Sequence, residues 1–452
     1  MSLSIPPIKP GMPLLGNIPE IARSDILSVA IEGQRQLGDL FTLRLLGHEL
    51  VVMCHPDHAE QVLFTHKDRY IKGQGYDAFR LLVGQGLITL EEGDTWRRAR
   101  RLAAPPFLKA RVGRHLEAMR AAAEAVAARW AALPAGTEVD LSEEMAQFAM
   151  RVVLSTVMPL QGAEDLGRLH QVLLEGLRFT NERGNSIPLP LWLPTASHRR
   201  WNKNKAELDA FMQRAVDAAR GDGQGPEASL VHAIVHATDP EGGPLSDEQL
   251  RDHILSLFLA GYETSARALG WAFYLLATEP EASAPMLAEL DAAGPTVADP
   301  FALEQTGFFV QELLRLYTPT WAVVRQAVAD DELKGFRVPK GAQVLVAIHQ
   351  IHRHPDFWPE PLAFRPQRFA SPLPEHRGAY IPFSAGSRVC LGNHFALLEM
   401  ATALALLAPR FSFQADTRDP VGVRAEVLLQ PTRPLRVTIS PRESPAARQS
   451  PV

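Results

Sequence analysis

Cysteine is nearly absent from this chain: Cys54 and Cys390 are the only two among 452 residues. No disulfide framework can stabilise it, and so few thiols fit a reducing compartment, which predicts a cytoplasmic protein. Charge of one sign is also scarce, with 46 Lys and Arg against 51 Asp and Glu and a net charge of −5. That near-balance gives no reason to expect nucleic acid as a partner. No stretch approaches the ~20 apolar residues of a membrane-spanning helix. Met1 to Gly16 is proline-rich without an apolar signal core, so no anchor is predicted. Gly/Ser linkers, charge blocks and internal repeats are missing too, which predicts a single domain over 1–452. What is plentiful is apolar side chain, 46% of the total, enough to bury a large core.

Residues 38–64 read as a small β region: strands at Leu40 to Leu45 and Leu50 to Cys54 around a Gly47 turn, then a helix from Pro56. Helical periodicity dominates from about 92 to 320, as in the Ala-rich run 115–132 and in 203–220. Three prolines make Asn185 to Pro194 an irregular apolar loop. Ser246 and Gln249 form a capping-box start for a long helix reaching about Ala277. A helix at about 301–317 stops before Pro319, and strands follow at 322–328 and 343–348. A proline-rich meander, a loop holding Cys390, a helix from Phe395 to about Leu407 and short strands complete the chain. The predicted class is mainly α with a minor segregated β part (α+β). The helical core spans about 92–320, the β-rich parts 38–64 and 322–440, and a frayed tail 441–452.

The two cysteines differ in setting. Cys54 ends an apolar strand, Leu50-Val51-Val52-Met53, and reads as inert core. Cys390 lies in Phe383-x-x-Gly386-x-Arg388-x-Cys390-x-Gly392, just before a helix. A thiolate there faces backbone N–H groups that lower its pKa. The glycines admit close approach of a flat ligand, and Arg388 offers a partner for an anionic group on it. This pattern resembles the haem-binding loop of the cytochrome P450 superfamily, in which that Cys is the axial iron ligand. Resemblance extends over essentially the whole chain and implies that family's fold, with haem b between the long central helix and the Cys-loop helix.

Other motifs fall in the order the family has them. Ala260-Gly261-Tyr262-Glu263-Thr264-Ser265 lies inside the long helix. Thr264 can bond the carbonyl four residues back, and Gly261 weakens the helix, which together predict a local distortion beside a flat cofactor. The segment resembles the family's oxygen-activation segment, implying that Thr264 and Glu263 deliver protons to bound O2. Glu312 and Arg315, with Arg368, look like the family's structural ionic triad, although Gln367 stands where a Glu is frequent. Trp96 and Arg100 match the pair that contacts a haem propionate, and Arg325 resembles the other propionate-binding position. Three arginines, Arg100, Arg325 and Arg388, suit two carboxylates.

By the same resemblance Phe79, Leu82, Leu87, Ala260, Thr320, Ala322, Val323, Val427 and Leu428 line a substrate pocket, together with the 170–195 segment. Their apolar character predicts an apolar substrate, with a lean to fatty acids or other lipids and terpenoids. The basic stretch around Arg97, Arg98 and Arg101 reads either as a solvated helix face or as a docking patch for a ferredoxin or flavodoxin-type electron donor. Without an anchor the resemblance is to soluble, bacterial-type members, and a monomer is expected. The implied activity is insertion of one atom of O2 into a C–H bond. The alternatives are a peroxide-driven peroxygenase, against which the intact Glu263–Thr264 pair argues, and a non-catalytic haem sensor or lipid-binding protein. His349, His352 and His354 crowd together, but no carboxylate-rich or Cys-His constellation completes a zinc site, so they read as packing and surface residues.

Overall fold

The computed structural model describes residues 4–134, 136–158, 166–184, 189–221, 223–225, 229–237, 243, 245–294, 299–372 and 375–442. The predicted tail beyond 442 and the first part of the 185–194 loop lie outside these residues. Strands β1 (Leu40–Leu45) and β2 (His48–Met53) form an antiparallel hairpin with Leu40 opposite Met53. Its second strand begins two residues earlier than the sequence predicts. Leu46 and Gly47, at φ 51° and 81°, make a two-residue turn of the left-handed kind that carries pairing up to Leu45 and His48. Strands β3 (Tyr70–Ile71), β4 (Val323–Ala327) and β5 (Gln343–Val346) complete a sheet in the order β1-β2-β5-β4-β3. β2 runs parallel to β5, so residues nearly 300 positions apart in the chain are laid side by side. Period-two alternation splits this sheet between two small cores. Val51, Met53, Val344 and Val346 face one, and Leu50, Val52 and Leu345 the other.

The main core is helical. Its principal members are α1 (Asp94–Ala103), α2 (Leu141–Thr156), α3 (Leu166–Gly184), α4 (Asp247–Thr278), α5 (Glu304–Leu316) and α6 (Asn393–Leu407). α4 starts where expected: the Ser246 hydroxyl accepts the Gln249 N–H at 3.2 Å, and the Ser246 N–H donates to the Gln249 side chain at 3.0 Å. α5 is shorter than predicted, because Pro300–Ala302 forms a separate 3₁₀ turn. α6 is apolar on every side and buried from Leu398 to Leu407, as a helix enclosed by others must be. Among the described residues no helix is long and apolar enough to cross a membrane.

Candidate active site

Cys390 sits three residues before α6, on a loop closed by its own N–H, which donates to the Phe383 carbonyl at 3.0 Å. The next carbonyl back, Val389, accepts from Arg100 of α1 at 2.8 Å, tying the loop to that helix. The Cys390 side chain is exposed, and it opens onto a cavity of about 1060 Å³ inside the molecule. Burial pushes the thiol above its ordinary pKa, against the Gly392 N–H and Arg100, which pull it down. The helix-end groups expected to dominate are therefore present but outweighed. Cys54 is fully buried, its thiol raised well above normal by desolvation, and the inert reading stands for it.

The cavity gathers most of the residues the sequence singles out. Ala260, Gly261, Glu263 and Thr264 reach it from α4, Phe383, Arg388 and Gly392 from the cysteine loop, Trp96 and Arg100 from α1, and Arg325 from β4. Phe79, Leu87, Thr320, Ala322, Val323, Val427 and Leu428 line the remaining wall. Leu82 does not. It is buried among the packed helices, and a Cβ at Gly176 of α3 would meet its side chain at 2.8 Å. Gly386 is also off the wall. Its φ of +67° and its approach to the Leu63 carbonyl, 1.9 Å from where a Cβ would stand, make it a backbone-packing glycine.

Arg388 and Glu263, both on the cavity wall, also have protein partners. Arg388 Nε donates to Glu92 at 2.6 Å, and its guanidinium lies 3.9 Å from the Trp96 ring centroid. The Glu263 carboxylate accepts from Arg267 of the next helical turn, at 2.6 and 2.9 Å, and among the described residues its Oε2 has no hydrogen bond. Thr264 bonds the Ala260 carbonyl at 2.6 Å as predicted. α4 nevertheless stays a continuous α-helix through this turn, without the predicted distortion.

Sequence reasoning missed Lys72 and Tyr76. Lys72 is buried at the cavity wall, its ammonium 4.0 Å from the Tyr76 ring, and burial pulls its pKa down to about 8. Burial raises the Tyr76 phenol, but Lys72 and Arg325 outweigh it and leave the group lowered to about 8. Nothing local marks Lys72, since lysine in a polar stretch is ordinarily exposed. Glu92 is already paired with Arg388. Among the described residues no carboxylate pairs with Arg100, Arg325 or Lys72, which share the cavity. Enclosed cations of this kind fit an anionic ligand, and a thiol beside them with its lone pairs on the cavity fits a soft or borderline metal ion. These residues therefore suit a flat metal-bearing group with carboxylates at its edge.

The remaining motif is structural, as expected. Glu312 accepts from Arg315 at 2.7 and 2.9 Å and from Arg368 at 3.0 Å, all on the far side of α5 from solvent. Gln367 turns outward to the Gln305 side chain, 2.7 Å away. Of the basic stretch, Arg97 is exposed and paired with Asp94 at 2.6 Å, Arg101 is exposed, and Arg98 turns inward to the Gly243 carbonyl.

Comparison with known proteins agrees with this arrangement. The family model for Cytochrome P450 matches residues 6–439. The chain is 32% identical over 446 residues to Cyclooctatin synthase of Streptomyces melanosporofaciens, covering 96% of this chain and 95% of that one. It is 30% identical over 415 residues to Pentalenene oxygenase of Streptomyces avermitilis, covering 90% and 91%. Among solved structures, the cytochrome P450DA heme domain superposes with a TM-score of 0.88 at 24% identity, covering 98% of this chain and 99% of that one. The retinoic acid-bound cyanobacterial CYP120A1 gives 0.86 at 25% identity, covering 98% and 100%. Fold, cysteine loop, ionic triad and whole-length matches thus converge: the chain belongs to the cytochrome P450 family and is a monooxygenase.

Proposed function

We propose that Cys390 is the axial thiolate ligand of a haem b iron and that the protein oxidises an apolar substrate of terpenoid class. The observation that carries this reading is the opening of the Cys390 thiol onto the cavity that Thr264, Arg100, Arg325 and Lys72 also reach. Haem held there supplies the activation of O2 for insertion of one oxygen atom into a C–H bond. The rest falls to the chain. Arg100, Arg325 and Lys72 neutralise the carboxylates at the edge of the group, with Arg388 stacked on Trp96 and anchored by Glu92. The Thr264 hydroxyl, on the cavity wall, donates its proton to the Ala260 carbonyl at 2.6 Å, and Glu263, which also reaches the cavity, is the acidic partner for proton delivery. Phe79, Leu87, Ala322, Val323 and Leu428 exclude water and hold the substrate by burial.

The terpenoid assignment is supported by relatives named for cyclooctatin and pentalenene, and by retinoic acid in a solved relative. Electrons come from a separate acidic ferredoxin or flavodoxin-type donor meeting the exposed Arg97 and Arg101, and the protein acts as a cytoplasmic monomer. The test is absorbance of the ferric protein titrated with terpenoids, steroids and fatty acids. The expected result is a saturable low-to-high-spin shift of the Soret band with a terpenoid. A shift with fatty acids alone would overturn the substrate class. No Soret band after haem supplementation would overturn the cofactor assignment.

A further inference from the structure

Beyond the end of β2, chain segments distant in sequence bring imidazoles and carboxylates together. His55 follows β2 and begins the short helix Pro56–Glu60, its Nδ1 accepting the Asp57 N–H at 3.1 Å. His354 follows the helical turn Ile348–Ile351 and is almost fully buried. The two rings meet edge to face, centroids 4.8 Å apart at 84°. Asp356 Oδ2 stands 3.9 Å from His354 Nδ1. One donor atom from each of His55, His354 and Asp356 lies within 4.8 Å of the other two. Of these companions Asp356 is a neighbour in sequence, while His55 comes from the end of β2, some 300 residues earlier.

We propose that His55, His354 and Asp356 bind one divalent transition-metal ion of the zinc type, with water completing the shell. Two imidazoles and a carboxylate are the donor set that zinc, nickel and copper accept and that magnesium and calcium do not favour. The tautomer of His354 is already the one required. Asp39 Oδ2 lies 3.2 Å from its Nε2, and a carboxylate can only accept there, so the proton sits on Nε2 and Nδ1 keeps its lone pair. That lone pair meets only the long contact from the Asp356 N–H, at 3.3 Å. A carboxylate behind a metal-binding imidazole fixes the ring and raises its basicity. His55 differs: its Nδ1 already accepts the Asp57 N–H, so ligation through that atom exchanges the 3.1 Å cap bond for the ion. Ligands of a four-coordinate zinc are about 3.3 Å apart, given bonds of about 2.0–2.2 Å. The set must therefore contract by up to about 1.5 Å at its widest separation, and Asp356, with its side chain 75% exposed, is free to move towards His354. A bound ion would clip the β1–β2 hairpin to the segment after β5, stabilising the native chain relative to the unfolded one.

The test uses untagged, haem-loaded protein titrated with zinc chloride by calorimetry and by thermal denaturation, with magnesium chloride as the control salt. The expected result is one high-affinity zinc site, a Tm that rises with zinc and not with magnesium, and an unchanged Soret band. Asp356→Asn and His55→Asn should each weaken zinc binding by at least about tenfold. Both keep the fold: Asp356 is on the surface, and Asn at 55 still accepts the Asp57 N–H. Equal zinc affinity in both variants and the parent would overturn the site. So would binding lost only in His376→Asn, because His376 lies 2.7 Å from Asp57 and 3.2 Å from Glu60 and would then be the true ligand.

Discussion

Glu399 is a carboxyl group with nowhere to place a charge. It is fully buried on α6, Oε2 accepts the Ser265 hydroxyl, and Oε1 has no partner among the described residues. Burial pushes its pKa from 4.5 up to about 8, with the Ser265 bond pulling the other way. The folded state thus holds a proton that the unfolded chain releases above pH 4.5. Stability from this group is complete below that pH and drains away as pH rises towards 8, at up to about 1.4 kcal/mol per unit. Glu399→Gln keeps the shape and an acceptor for Ser265 but cannot ionise. Urea denaturation between pH 5 and 8 should show the parent losing stability steadily relative to this variant. Parallel curves would mean the carboxyl is charged in the fold. A lone Glu in an apolar helix is visible in the sequence, but the Ser265 contact across 134 positions is not.

The elements were legible to the extent that their signals are local. The capping box at Ser246 announced α4 to within a residue, and two apolar runs around the Gly47 turn announced β1 and β2. The cysteine loop was legible as a motif, but the reason for one of its glycines was not. Gly386 is required because the five-residue π-turn Gln61–Thr65 presents the Leu63 carbonyl to it, at a left-handed φ. Gly386→Ala should therefore cost about 1–3 kcal/mol for the backbone conformation, plus displacement of that turn. Thermal denaturation would register the loss, together with reduced haem retention, since the loop carries Cys390. A variant as stable as the parent would show that the loop and turn can separate freely.

At the scale of the molecule, the ionic triad shows how distant segments are locked. Glu312 pairs with Arg315 on its own helix, with Arg368, and with the Arg365 N–H at 2.8 Å. Arg315 donates in turn to the carbonyls of His352, Pro361 and Ala363, with its guanidinium 5.2 Å from the Trp358 ring. Every charge in this group is answered, so the cost of burying it is already met in the fold. Glu312→Ala leaves two guanidinium groups without their carboxylate and should destabilise by about 3–5 kcal/mol. Denaturant unfolding checks the figure. A loss below about 1 kcal/mol would mean water replaces the carboxylate, as at a surface pair.

By itself the sequence determined the class of fold and the family, and it singled out the loop that carries Cys390. Capping, periodicity and motif spacing act over a few residues and leave their mark in the local order of side chains. Only the tertiary structure decided the partners of charged groups. Glu263 turns to Arg267, Arg388 to Glu92, Lys72 to the cavity wall, and His354 to His55 and Asp39. An ion pair or a ligand set forms wherever folding brings opposite charges or lone pairs within a few ångströms of each other out of water, and Coulomb attraction carries no record of position along the chain.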